Sequence, residues 1–287
     1  MKAKHLSFTQ INNYKECPQK FRFYDEDVQK QLPSEAMADG SEQHAKIAAA
    51  IRSKDDSAIS EIFGPRLQTF FRKNDLLNSE AEIKLEPLLI TKTLLSFVDC
   101  IKVDVTAGTV DIIDWKRNNG FSHEMQLKIY AAGFVLTHMD KLDETVKFRC
   151  RFAYINQDYY DQYDYTLDQI IEVIKDLQNT ERRILADNKF ATTPGQQACK
   201  WCQYSHKCPA IKKFEVLDIV STEMAITQAK TMFALDKFVS DAEKRLKEYM
   251  LKNDIMRLEL GDGSAYQLTT SVSLKKSTKK GKKEGEE

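Results

Sequence analysis

Apolar positions along the chain change period several times, and each change marks an element. Ser7 stands before Phe8, Ile11 and Tyr14 at helical spacing, so it reads as the N-cap of a short helix running into Cys17-Pro18. A second helix is expected over residues 35–52, where Met37, His44, Ile47, Ala48 and Ile51 fall near one face. A third covers 57–72 and is interrupted at Gly64-Pro65. At residues 80–86 polar and apolar side chains alternate, the period of a half-buried strand. Two more strands are expected over 94–105 and 109–116, joined by a turn at Ala107-Gly108. A helix over 122–138, a strand over 145–156, a pairing strand over 158–165 and a helix over 167–188 follow. Residues 194–209 form a cysteine-bearing loop, and 222–252 a long amphipathic helix. A hairpin over 256–260 and 266–272 turns around Gly261 to Gly263. The tail, 275–287, is lysine-rich and then acidic, and is expected to be disordered. Helices and strands in this order predict an α/β fold: a mixed central sheet flanked by helices. No internal repeat is found.

Composition narrows the class. Hydrophobic residues make up 42% and charged residues 30%, ordinary for a globular chain of 287 residues that can bury a sizeable core. No apolar run approaches the roughly 20 residues needed to span a bilayer, and the first ten residues carry no apolar signal region. A cytoplasmic location is therefore expected. In that reducing setting the six cysteines are expected to bind metal where they cluster rather than to form disulfides. Basic and acidic residues number 43 each, a balance that neither supports nor excludes nucleic-acid binding.

Charge enters where a strand should be apolar. Asp99 lies within Ser96-Phe-Val-Asp-Cys-Ile101, and Asp114 and Lys116 end Ile112-Ile-Asp-Trp-Lys116. Strand geometry puts Asp114 and Lys116 on one face. A buried carboxylate needs a partner, and a divalent cation is one. Asp99 and Asp114 on neighbouring strands can share such an ion, and oxygen ligands suit Mg²⁺ or Mn²⁺. Lys116 beside them can orient an attacking water or offset charge developing on a phosphate. A lone Asp-x-Lys more often forms an ordinary salt bridge. Here it is followed by a helix that puts Gln126 and Tyr130 on one face, and preceded by a helix carrying Gly40 and, one turn later, His44.

This set, in this order, resembles the RecB-like branch of the PD-(D/E)XK nuclease superfamily, above all CRISPR-associated RecB-like exonucleases and AddB-type nuclease domains. The resemblance runs from Ser7 to Pro209 and includes Ser7 to Tyr14, Cys17-Pro-Gln-Lys-Phe21, Gly40…His44, Asp99, Asp114-Trp-Lys116 and Gln126…Tyr130. It implies a restriction-endonuclease-like core. It also implies metal ligation by His44, Asp99, Asp114 and the Trp115 carbonyl, catalysis by Lys116, and contacts near DNA from Gln126 and Tyr130. One departure is Ser96, where relatives carry glycine three residues before the first aspartate. Glu82 is a further carboxylate, expected to face solvent.

Cys199-Lys-Trp-Cys202 followed by Cys208-Pro209 is a C-x₂-C-x₅-C pattern and points to a metal. Cys17, which ends a helix before proline, is the natural fourth ligand, while Cys100 and Cys150 lie in strand patterns and read as buried fillers. Spacing alone does not separate a zinc site from an iron–sulfur cluster. One distant N-terminal cysteine with three C-terminal ones resembles the iron–sulfur nucleases, which implies a [4Fe–4S] cluster stapling the N- and C-terminal helical segments. The resulting expectation is a nuclease domain over 1–215, an accessory helix and hairpin over 216–274 and the tail. Its activity would be metal-dependent DNA cleavage, from an end, 5′→3′ and on single strands by resemblance, in recombination, repair or replication, with a helicase or recombination protein as partner. The alternatives are a structure-specific endonuclease and a catalytically silent iron–sulfur or zinc scaffold.

Overall fold

The computed structural model describes residues 4–27, 35–117, 123–155, 160–200, 202–212, 221–260, 265–268 and 274–277. The turn expected at 261–263 and the tail beyond 277 lie outside them, as does the side chain of Met37. The chain divides into two units, Met1–Phe190 and Ala191–Glu287.

The first unit begins with β1 (His5–Leu6) and α1 (Phe8–Glu16). Ser7 caps α1 as its sequence implies: its hydroxyl accepts from Gln10 N, and Gln10 Oε1 accepts from Ser7 N at 2.9 Å. Leu6 and Ile11 flank this box and are both buried, which fixes the angle of entry. The expected single helix continues as α2 (Pro18–Asp27), after one extended residue at Cys17. Pro18 is read from sequence as a stop, but proline also suits the first position of a helix, where the missing N–H has no partner to lose. Next come α3 (Glu35–Ser53), α4 (Ser57–Phe63) and α5 (Pro65–Lys73). Gly64, at φ +87°, makes the break between the last two.

Five strands form the sheet: β2 (Glu80–Leu85), β4 (Ser96–Asp104), β5 (Thr109–Lys116), β6 (Lys147–Tyr154) and β7 (Tyr160–Thr166), in the order β2-β4-β5-β6-β7. All neighbours are antiparallel except β5 and β6, which are parallel and therefore need a crossover. α6 (Glu124–His138) supplies it. α7 (Leu167–Ala186) leaves β7 through a second capping box at Thr166 and Gln169. A two-residue strand, β3 (Thr93–Leu94), pairs in parallel with β1 outside this sheet. The expected mixed sheet with flanking helices is thus present.

Two cores lie against the sheet. One joins α1, α2, α6 and α7, and the other α3, α4 and α5. Central strand β5 alternates between them: Val110 and Ile112 enter the first, Ile113 and Trp115 the second. Burial on both faces accounts for its unbroken apolar run. The alternation breaks in β2 and β4. Ile83 and Val98 pack in the first core, while Ala81 and Cys100, two residues away on each strand, pack in the second. The flip centres on Glu82 and Asp99, the positions missing from the β2–β4 register, and Glu82 takes a left-handed φ of +54°.

The second unit holds α8 (Gln196–Lys200), α9 (Pro209–Lys212), α10 (Thr222–Lys252) and a three-stranded antiparallel sheet of β8 (Arg257–Glu259), β9 (Ala265–Leu268) and β10 (Leu274–Ser277), ordered β10-β9-β8. The sequence predicts a two-stranded hairpin here and an irregular loop over 194–209. Instead a third strand takes the start of the tail, and the cysteine-bearing segment folds into short helices packed on α10. The Ser205 hydroxyl donates to Asp241 of α10, which Lys237 also pairs. Among the described residues no helix is long and apolar enough to cross a membrane.

Candidate active site

The ends of β4 and β5 bring the expected site residues together. Asp114 is 2% exposed and faces α6. Tyr130 Oη and Gln126 Nε2 both donate to its Oδ1, at 3.4 and 3.1 Å. Gln126 Nε2 also lies 2.7 Å from Tyr130 Oη, so the two helical residues act on one carboxylate, as their four-residue spacing allows. Lys116 Nζ is 2.7 Å from Asp114 Oδ2 and donates to Gln126 Oε1 at 3.1 Å. The Lys116 ammonium is thus the partner of the buried Oδ2. Burial pushes the Asp114 carboxyl up to about 6; Lys116 opposes that shift and Asp99 adds to it.

Asp99 sits at the pivot of the strand flip and reaches in two directions. Its Oδ2 accepts the Trp115 backbone N–H at 2.8 Å, beyond the point where the β4–β5 ladder ends at Cys100↔Ile113. Its Oδ1 lies 3.3 Å from His44 Nδ1. Partial burial works against charging His44, but Asp99 and Asp114 outweigh it and raise the imidazole's affinity for a proton. Burial, with the same carboxylates adding to it, holds the Tyr130 hydroxyl well above its ordinary value. Trp115 itself points to the opposite core and stacks on Phe71, with ring centroids 5.4 Å apart. That anchor fixes the strand end on which Asp114 and Lys116 are carried.

Sequence reading missed one neighbour. Lys116 Nζ stands 5.4 Å from the centroid of Phe152, a fully buried residue of β6 whose register partner is Asp114. No local signal exposes it, because the contact depends on a parallel pairing between segments separated by a helix. Ser96, in place of the relatives' glycine, is buried against α6. Its hydroxyl faces Gly133 of α6 and has no hydrogen-bond partner among the described residues. Glu82 is exposed and pairs with Arg52, which keeps it out of the site as expected.

The donor set suits a divalent cation: two carboxylates and an imidazole. Asp114 is instead paired with Lys116 and Asp99 with the His44 imidazole, and no group of three or more His, Cys, Asp or Glu among the described residues is assembled tightly enough to hold a metal. Cys17 closes α1 in the first unit. In the second, Cys199 is buried and Cys202 and Cys208 half-buried, and the Gly195 N–H approaches Cys199 Sγ at 3.5 Å. Cys100 and Cys150 are buried in the two cores, as expected of fillers; burial pushes the Cys100 thiol up to about 12 and the Cys150 thiol higher.

Residues 64–209 match the family described as the PD-(D/E)XK nuclease superfamily, a span that includes Asp99, Asp114, Lys116, Gln126 and Tyr130. No curated protein matches the chain. Two solved structures are distantly similar. The protein SSO0001 is 18% identical, with 73% of this chain and 88% of that one covered and a TM-score of 0.39. A protein from Eubacterium rectale, provisionally named an exonuclease, is 11% identical, with 78% and 93% covered and a TM-score of 0.40.

Proposed function

The chain belongs to the PD-(D/E)XK nuclease superfamily, and on that premise we propose that it is a metal-dependent DNA nuclease acting at Asp99, Asp114 and Lys116. The observation that carries this reading is the buried Asp114 carboxylate, held by Gln126, Tyr130 and Lys116 beside the Asp99–His44 pair. Nucleases of this superfamily generally use Mg²⁺ or Mn²⁺. Asp99, Asp114, His44 and the Trp115 carbonyl would hold the ion. When bound, it supplies Lewis acidity and neutralises charge on the phosphodiester.

The rest of the chemistry belongs to side chains. Lys116 orients the attacking water and offsets the negative charge that develops on the phosphate. Gln126 holds Lys116 and Asp114 in one hydrogen-bonded group, so little rotamer freedom is lost at the moment of reaction. Tyr130, 8% exposed and turned onto Asp114, acts by orienting that carboxylate rather than by touching DNA.

The motif set favours exonuclease action from an end, 5′→3′ and on single strands, in recombination, repair or replication, with a helicase or recombination protein as partner. It also favours a [4Fe–4S] cluster held by Cys17, Cys199, Cys202 and Cys208, supported by the C-x₂-C-x₅-C spacing. The intact set of His44, Asp99, Asp114 and Lys116 argues against a silent scaffold.

The test is Lys116→Ala. Its role lies in the transition state, so cleavage should fall by about two orders of magnitude or more while DNA affinity stays near wild type; thermal stability should drop, because the buried Asp114 loses its cation. Wild-type cleavage by this variant removes Lys116 from the chemistry.

A further inference from the structure

Phe97 stands out on the strand that carries Asp99. It is 59% exposed, the most exposed aromatic side chain of the five-stranded sheet among the described residues, and it makes no aromatic or cation–π pair there. Its neighbours Ser96 and Val98 are buried on the α6 side, so Phe97 faces the other side, where α3 carries His44. Directly opposite in the β2–β4 register is Lys84, on the same face and half exposed. Lys84 has only a solvent-exposed ion pair with Glu86, a contact of little worth that it can exchange for a phosphate. The pair lies two residues from Asp99, about 7 Å along the strand.

An exposed phenylalanine in a strand interior costs solvation without adding to a core, whereas a flat ring beside a cation is what single-stranded nucleic acid requires. Bases stack on aromatic faces irrespective of sequence, and lysine follows the backbone. A duplex keeps its bases stacked on one another and offers such a ring no face. We infer that Phe97 and Lys84 form a platform that receives one unstacked base and its phosphate next to the scissile bond, biasing the site towards single strands. This rests on the nuclease reading above.

The experiment uses the full chain in a Lys116→Ala background, so that DNA is bound and not consumed. The probe is a single-stranded oligonucleotide with 2-aminopurine at successive positions, whose fluorescence is quenched on stacking. Quenching is expected at one position near the bound end. Phe97→Leu, which keeps apolar bulk and removes the ring, should abolish that quenching and weaken single-strand binding roughly 5- to 100-fold. Phe97→Trp should restore both. Lys84→Ala should lower the salt dependence of binding by about one phosphate contact, leaving the quenching position unchanged. Unaltered quenching and affinity in Phe97→Leu overturn the platform alone, leaving the nuclease reading in place. Absence of DNA binding by the folded parent overturns both.

Discussion

Asp114 shows what the site costs the fold. A carboxylate that is 2% exposed, with a value raised to about 6 against an ordinary value near 4, is more easily ionised in the unfolded chain. In the metal-free protein, stability present below about pH 4 is therefore lost as pH rises through about 6. Asp114→Asn removes that penalty with almost no change in volume. Above pH 7 it should unfold at or above the wild-type temperature, by about 2–4 °C for each kcal/mol recovered, while its cleavage is lost. Thermal unfolding at pH 5 and pH 8 checks this; a variant less stable than wild type at pH 8 would mean that Lys116 more than repays the burial. Such a residue is legible in sequence because charge inside Ile112-Ile-Asp-Trp-Lys116 breaks the pattern of a strand buried on both faces. Phe152 beneath Lys116 and the flip at Glu82 and Asp99 are not legible. They arise from pairing between distant segments, and the alternation at residues 80–86 reads as a regular half-buried strand although Ala81 and Ile83 enter different cores.

At the scale of elements, capping chemistry was the most readable signal. Ser7 starts α1 as expected, and the Gly64-Pro65 break falls between α4 and α5. What misled was proline at 18, which starts a helix instead of only stopping one, and glycine, proline and cysteine over 194–209, which suggested a loop where packing on α10 induces short helices. One long-range staple joins the ends of the first unit. Asp187, at the C-cap of α7, accepts the N–H groups of Lys189 and Phe190 at 3.0 and 2.8 Å and the Tyr14 hydroxyl of α1 at 3.0 Å. Desolvation opposes its charge, but these donors outweigh it and hold the carboxyl below its ordinary range. A depressed folded value means that the staple contributes fully above about pH 4 and is lost as pH falls through the folded value. Tyr14→Phe should cost about 1 kcal/mol at neutral pH, and the difference from wild type should shrink in acid. Denaturant unfolding at pH 7 and pH 3 measures it; an equal deficit at both would assign the loss to packing of the Tyr14 ring.

For the whole molecule, family membership and the convergence of Asp99, Asp114, Lys116, Gln126 and Tyr130 point to one chemistry, and the proposed [4Fe–4S] cluster has its own test. Anaerobically purified protein should be brown and contain iron and acid-labile sulfide. Serine at Cys17, Cys199, Cys202 or Cys208 should bleach it, and serine at Cys100 or Cys150 should not. Colourless protein with stoichiometric zinc would replace the cluster with a zinc site and leave the nuclease chemistry untouched. The central claim is the metal-dependent cleavage itself. Its most direct measurement is digestion of end-labelled linear DNA and matched circles, single- and double-stranded, by wild-type protein and by Asp114→Asn, with Mg²⁺ or Mn²⁺ and then with EDTA. The account predicts that wild type degrades linear single strands with either metal, spares circles, and stops in EDTA, and that Asp114→Asn is inert throughout. Cleavage that survives the chelator, or that Asp114→Asn retains, would contradict it.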